Sequence, residues 1–368
     1  MRSFSLFIFV MVLAANVNLM SPSAQPAKLQ LYSGMCEASG AVAAPKGSFA
    51  GWFIVANDED NVLRAYNAER AGAAPRAVLD LDDHLGIPQQ DRGKGRGKAD
   101  IEAATWLGDH IYWIGSHSRN SDGQRRRSRH QFFATSVTTG EAGIQLQPTG
   151  RAVSLLDELR DALDASGLGL GWTVGQESDD KQLAPEREGL NVEGLAARPD
   201  GGSMLIGLRN PLADGRAVLI PFLNPHEAVN EDAKPKLGGP MTLDLGGRGI
   251  RSMDYSVARR AYVIVAGPRA DGAALQQPAF ELYTWSGDPV AAAQRLPGVA
   301  EAVADPITVR TETLAGRSNF HPEAAILNRD GTAVWLLSDD GDLQLNGAGC
   351  SNLGESQRQF RGIILPLP

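Results

Sequence analysis

Three features of this 368-residue sequence predict an all-β fold, a β-propeller of about five four-stranded blades. A phrase recurs along the chain: an acid, a small apolar run, a turn, an apolar strand and a polar ending. Alternating segments rich in β-branched and aromatic residues are separated by turns, and the chain carries 41 Gly and 21 Pro to make them. A spare strand precedes the first unit, and the last unit lacks its final strand.

Taken in order, residues 1–24 read as a secretory signal peptide: Arg2, an apolar run from Phe4 to Ala15, then Ser21, Ser23 and Ala24. The run is too short to span a membrane, and no later segment has a spanning run. Residues 25–368 are then a single propeller domain, predicted to be secreted or periplasmic, with no membrane insertion after cleavage. Its charge is 34 minus 43, or −9, which disfavours nucleic acid. KLQLYSG (28–34) is the spare strand, expected to pair with GIILPLP (362–368) and close the ring.

The first unit places GWFIVAN (51–57), NVLRAYN (61–67) and RAVLDLDD (76–83) in succession. The second joins DIEAATWLGDHIYWIGSHSR (100–119) to RHQFFATSV (129–137). The third runs from LNVEGLAARPDGGSMLIGLRNP (190–211) through GRAVLIPF (215–222) to MTLDLGG (241–247). The fourth has MDYSVARRAYVIVAGPR (253–269), AFELYTW (279–285) and ITVRTETL (307–314). The fifth has HPEAAILNRDGTAVWLLSDDG (321–341) and FRGIILPLP (360–368).

An insertion in the second unit, AVSLLDELRDALDASG (152–167), sets Leu155, Leu156, Leu159, Ala162 and Leu163 on one helical face. It is either a helix packed on the rim or a lid over one mouth. The basic tracts RGKGRGK (92–98) and QRRRSRH (124–130) read as solvated loops or as a site for an anion. Cys36 and Cys350 are the two cysteines; in an oxidising compartment they suggest one disulfide, and buried free thiols are the alternative.

In a propeller blade the first strand lies innermost and the second returns beside it. The start of one and the end of the other therefore share a face near the axis. This places Glu102, Glu193 and Glu323 with His117, Arg209, Asn210, Asp339 and Asp340 at one mouth of the central channel. The first unit adds Asn57 and Asp58, with Ser39 rather than Glu37 at the acid's position, and the fourth adds Asp254 and Arg269. Carboxylates gathered there repel one another, and a hard cation offsets that. Asn57, Glu102, Glu193, Asn210 and Asp339 make an oxygen cage of the kind Ca²⁺ takes. Beside it His117 and Glu193 are the candidate catalytic residues, His117 as general base, and Arg209, Asn210 and Arg269 the candidate ligand-binding residues. Against the metal stands Glu–Arg pairing: Arg129, Arg216 and Arg361 recur near the starts of third strands. SDDGDLQLNG (338–347) lacks the spacing of a calcium loop, and GxSxG, HExxH, P-loop and CxxC motifs are absent.

At GLNVEGLAARPDGGSMLIGLRNPLADGRAVLIPF (189–222) the chain resembles the bacterial proteins grouped as domain of unknown function 3616. ANDEDNVLRAY (56–66), DIEAATWLGDHIYWIGSHSRNSDG (100–123) and the fifth unit support this, although Ala103 stands where the third unit has Gly194. The resemblance implies a propeller and no settled activity. The acid-Gly-Leu-Ala phrase is similar to one in the phytase-related esterase-like propellers, which implies ester or phosphoester hydrolysis. The expectation is thus a monomeric propeller that binds a small polar or anionic ligand at its channel mouth, with Ca²⁺ and metal-dependent hydrolysis. The alternative is a non-catalytic scaffold for protein or carbohydrate.

Overall fold

The computed structural model describes residues 28–88, 97–140, 143–152, 154–175, 178–269, 279–298, 302, 320–345 and 347–368. The signal segment, residues 92–96 of the first basic tract and the strand expected at 307–314 lie outside them.

Five four-stranded antiparallel sheets form the molecule. After β1 (Lys28–Ser33), blade 1 comprises β2 (Ala38–Ala44), β3 (Trp52–Asn57), β4 (Val62–Asn67) and β5 (Ala77–Asp80), followed by the one-turn α1 (Asp82–Leu85). Blade 2 holds β6 (Ile101–Leu107), β7 (His110–Gly115), β8 (Phe132–Gly140) and β9 (Gly143–Ala152), and α2 (Leu155–Ala165) follows it. Blade 3 holds β10 (Asn191–Ala197), β11 (Met204–Asn210), β12 (Ala217–Phe222) and β13 (Met241–Leu243), with α3 (Pro225–Asn230) before the last strand. Blade 4 holds β14 (Gly249–Ser256), β15 (Ala261–Gly267), β16 (Glu281–Trp285) and β17 (Gln294–Leu296). Blade 5 has β18 (His321–Leu327) and β19 (Ala333–Asp339), then a small hairpin, β20 (Gln344–Leu345) with β21 (Ala348–Gly349), and β22 (Gln359–Pro366).

The missing strand of blade 5 is supplied by β1, which pairs antiparallel with β22 from Lys28↔Ile364 to Ser33↔Gln359. The innermost strands touch in the cyclic order β2, β6, β10, β14, β18 and back to β2, so the ring closes. The Cys36–Cys350 disulfide staples the seam, with Cα atoms 6.0 Å apart. It follows β1 at one end and precedes β22 at the other, which the strand exchange brings together.

Each apolar cluster sits between neighbouring blades, because a blade exposes two apolar faces and each must be covered. Tyr32, Phe53, Tyr66, Trp335 and Phe360 fill the seam between blades 5 and 1. Ile54, Trp113 and Phe133 join blades 1 and 2. Each such ring, wholly removed from water, contributes about 1.5–3 kcal/mol. Helix α2 buries Leu155, Leu156, Leu159 and Leu163 against Phe132, Phe222 and Val229. The helix predicted from its periodicity is therefore part of the apolar packing between blades 2 and 3.

Candidate functional site

Every inner strand carries a register shift near its start, and β10 carries a further one between Asn191 and Val192. The shift falls between Ala38 and Ala41 in β2, Ile101 and Ala103 in β6, Val192 and Gly194 in β10, Ile250 and Ser252 in β14, and Pro322 and Ala324 in β18. A bulge of this kind kinks the strand and re-aims one side chain. The bulged positions are Ser39 with Gly40, Glu102, Glu193, Arg251 and Glu323. The recurring acid is thus a bulge residue, and the small residue after it lets neighbouring strands approach closely. A Cβ on Gly40 would meet the Ala103 backbone at 2.7 Å, and one on Gly194 would meet Ile250 at 2.7 Å.

Glu102, Glu193 and Glu323 meet at one opening, as expected. Arg251 holds the centre of their network, with Nε 3.0 Å from Glu193 Oε2 and Nη2 ion-paired to Glu323 Oε1. Glu193 Oε1 also accepts from Arg209 Nη1 at 3.0 Å and from Asn191 Nδ2 at 3.0 Å. Behind this ring Arg129 pairs with Asp100 at 3.0 Å, and Arg361, fully buried, grips Asp340 through Nε and Nη2. Of the three recurring arginines, Arg129 and Arg361 pair with acids near the mouth; Arg216 is exposed and bonds Thr242.

Arg251 was not singled out from the sequence. By its sequence the fourth unit starts at Met253 with Asp254 as its acid. The bulge aligns IleArgSer (250–252) with ValGluGly (192–194), so Arg251 is the counterpart of Glu193. Searching for a charged residue of either sign before a small one would have found it. Asp254 instead lines a cavity with Ala43, Trp106 and Leu327, toward the far ends of the inner strands, and does not join the acidic mouth.

The opposite side of the mouth is built differently. Glu37, Asp58, Glu102 and Asp339 make no ion pair among the described residues. Burial, then the neighbouring Asp339, Glu102, Glu37 and Asp100, push the Asp58 carboxyl well above the usual carboxylate range. Its Oδ1 is buried without a hydrogen-bond partner. Burial, then Glu193 and Asp100, push Glu102 well above its ordinary value, against the pull of Arg251 and Arg209. Asp339 is pushed up to about 7 by burial, with Glu37 and Asp340 adding to the rise, although its Oδ1 accepts from Gly341 N at 2.9 Å. Glu37 is raised by burial, and Ser351 donates to it. These carboxyls release their protons at higher pH than ordinary ones do.

His117, just past β7, is buried with a left-handed φ of 54°. Its Nδ1 donates to the Gly115 carbonyl at 2.9 Å, which leaves Nε2 as an acceptor, buried and without a partner. Burial pulls it down to about 4, so the imidazole is neutral at pH 7. His130 stacks on it at 6.0 Å and is pulled down to about 3 by burial, then by His117 and nearby arginines.

The remaining candidates are engaged locally. Asn57 donates to Asp60 at 3.0 Å and accepts from Glu59 N. Asn210 Nδ2 donates to the carbonyls of Gly189 and Arg187 at 2.8 and 3.0 Å. Arg269 pairs with Glu188 at 3.3 Å and reaches Asn210 Oδ1 at 3.5 Å. Among the described residues no group of three or more His, Cys, Asp or Glu is arranged to hold a metal ion. No helix among them is long and apolar enough to cross a membrane.

Residues 167–332 match the model of a family described as Protein of unknown function (DUF3616). The match spans blades 3 and 4 and enters blade 5, and it bears out the resemblance drawn from the acid-Gly phrase at Glu193. No curated protein matches the chain. Among solved structures, the glutaminyl cyclase of Myxococcus xanthus is 12% identical, with a TM-score of 0.43, covering 94% of this chain and 97% of that one. A luciferin-regenerating enzyme is 6% identical with a TM-score of 0.38, covering 92% and 95%. A structural genomics protein from Bacteroides thetaiotaomicron is 8% identical with a TM-score of 0.36, covering 92% and 76%. At these scores no residue role or activity is carried across.

Proposed function

We propose that the acidic mouth of the propeller channel binds a small polar ligand with a carbonyl or phosphoryl oxygen, and that ester or phosphoester hydrolysis is its chemistry. The observation that carries this reading is the contrast between two adjacent bulge carboxyls. Glu193 is held by Arg209, Arg251 and Asn191, whereas Glu102 is buried, makes no ion pair among the described residues and has its carboxyl pushed well above the usual range by burial and by Glu193 and Asp100. Two carboxyls whose environments differ in this way suit an acid and a stabilising role. Glu102 donates its proton to the ligand oxygen or leaving group. Glu193 acts by holding Arg209 and Arg251 toward the developing negative charge. His117 offers Nε2 as an acceptor that positions water or a ligand donor; at about 4 it is a weak base.

Calcium is a second form of the same reading. No three of the described acids are set to hold a divalent cation, so this form rests on the unpartnered Asp58 Oδ1 and on the relief a cation would give its crowded neighbours. The scaffold reading draws on the density of the Glu193–Arg251–Glu323 pairing, which satisfies those acids without a ligand. A secreted or periplasmic location follows from the N-terminal apolar segment and from the disulfide, a bond suited to oxidising compartments.

The test is turnover of ester and phosphomonoester panels by wild type and by Glu102→Gln, with and without Ca²⁺. Loss of general acid catalysis lowers kcat by about 10²–10⁴. If no substrate is turned over and neither Ca²⁺ nor chelator moves the melting temperature, the scaffold reading replaces this one.

A further inference from the structure

The far end of the inner strands holds a cavity, which the proposed chemistry does not use. Its volume is about 220 Å³, room for about seven waters or one small organic molecule. Four blades line it: Ala43 and Lys46 from blade 1, Thr105 and Trp106 from blade 2, Asp254 and Tyr255 from blade 4, and Ile326 and Arg329 from blade 5. It lies where the inner strands end, whereas the bulge acids lie where they begin.

The walls are fixed by bonds that stitch neighbouring blades. Trp106 Nε1 donates to the Ala43 carbonyl at 2.8 Å, which sets the indole against the cavity. Ala197 N donates to Thr105 Oγ1 at 3.1 Å. Asp254 accepts from Tyr255 N at 2.8 Å and from Leu327 N at 3.4 Å. Two polar groups retain capacity after these bonds. Thr105 is 3% exposed, and its hydroxyl proton has no acceptor among the described residues. A carboxylate has about four acceptor sites, so Asp254 has room for another donor. Burial pushes its carboxyl up to about 6, and Lys46 opposes that rise.

The rim is cationic. Arg329 N donates to the Gly47 carbonyl at 2.8 Å, which holds the loops bearing Lys46 and Arg329 side by side. Neither side chain makes an ion pair with a carboxylate among the described residues, and both are exposed. Cations at the rim, aromatic and aliphatic walls, and a buried hydroxyl with a carboxyl deeper in describe an amphiphilic guest.

We propose that this cavity is a binding site for a small organic anion with a flat apolar body and a hydroxyl at its far end. The anionic group meets Lys46 and Arg329, the body packs against Trp106, Tyr255 and Ile326, and the hydroxyl takes up Thr105 and Asp254. The site is separate from the acidic mouth and does not depend on the activity proposed there.

The probe is 4-hydroxybenzoate, with neutral 4-hydroxybenzamide as its counterpart, titrated calorimetrically into the wild-type protein and into Lys46→Ala/Arg329→Ala. Tryptophan fluorescence reports contact with Trp106. The expected result is saturable binding of 4-hydroxybenzoate with Kd below about 1 mM. The amide binds about tenfold more weakly, and the double variant, folded with an unchanged melting temperature, loses about tenfold in affinity for the anion. Absence of saturable binding, equal affinity for anion and amide, or undiminished binding by the double variant each overturns the proposal.

Discussion

Between blades 3 and 5, Arg251 reaches Glu193 on one side and Glu323 on the other; between blades 5 and 2, Asp339, Asp58 and Glu102 face one another with no arginine ion-paired to them among the described residues. Both halves are made by the same bulge at the start of an inner strand. Replacing the acid by Arg251 in blade 4 neutralises two neighbours, while Ser39 at the corresponding position of blade 1 neutralises none. Ser39 spends its hydroxyl on the Ile101 carbonyl instead. A single choice per blade therefore divides one ring into a locked half and a half with protons to exchange. The locked half resists change because each buried charge has a partner. The other half is where a ligand would gain most, because its carboxyls have no cationic partner among the described residues.

The largest effect that breaks this contrast is expected from Arg251→Ala. It removes the cation from Glu323 and one of two arginines from Glu193, and loss of one partner of a buried pair costs about 3–5 kcal/mol. Chemical denaturation should show a lowered midpoint. An unchanged midpoint would mean that the two halves do not differ in how they are held.

The next effect is in pH. Asp339 moves from 3.8 to about 7 on folding, so the unfolded chain gives up this proton first. Stability from this group is full at low pH and is lost as pH rises through that interval, by on the order of a few kcal/mol. His117 moves from 6.5 to about 4, so its contribution is full above 6.5 and is lost as pH falls toward 4. Asp339→Asn should flatten the decline of melting temperature between about pH 4 and 7. A wild-type profile that rises over that interval and does not respond to the substitution would contradict it.

Smaller still, Glu102→Gln and Glu193→Gln should move stability in opposite directions. Removing ionisation at Glu102 relieves repulsion and raises stability by about 1 kcal/mol at pH 8, while Glu193→Gln weakens its arginine contacts and lowers it by about 1–3 kcal/mol. Thermal melts of the pair at one pH decide it. Smallest is Arg269→Ala: its pair with Glu188 is partly exposed, and the cost should stay below about 1 kcal/mol.

Much of this architecture was legible in the chain. The period of acid, strand and turn exposed the blades, since a strand buried on both faces must be apolar and its ends must be polar. The spare strand at 28–34 predicted the closure, and with it the proximity of Cys36 and Cys350. Glu102, Glu193 and Glu323 were legible as a ring because repetition places like positions at like radii. Arg251 and Asp254 were misread because a bulge adds a residue without a mark in the sequence, and a search for acids passes over a basic residue at the same position.

The succession of strands within each blade and the place of Glu102, Glu193 and Glu323 at the starts of inner strands were thus set by local pattern, since alternation and turn chemistry act over a few residues. Which acid found an arginine was decided only in three dimensions. Arg251, Glu193 and Glu323 come from different blades, and whether charges separated by tens of residues lie within 3 Å depends on the packing of whole sheets. The proton-holding character of Asp58, Glu102 and Asp339 was decided in the same way, because exclusion of water and the field of neighbours belong to the closed ring and to no strand by itself.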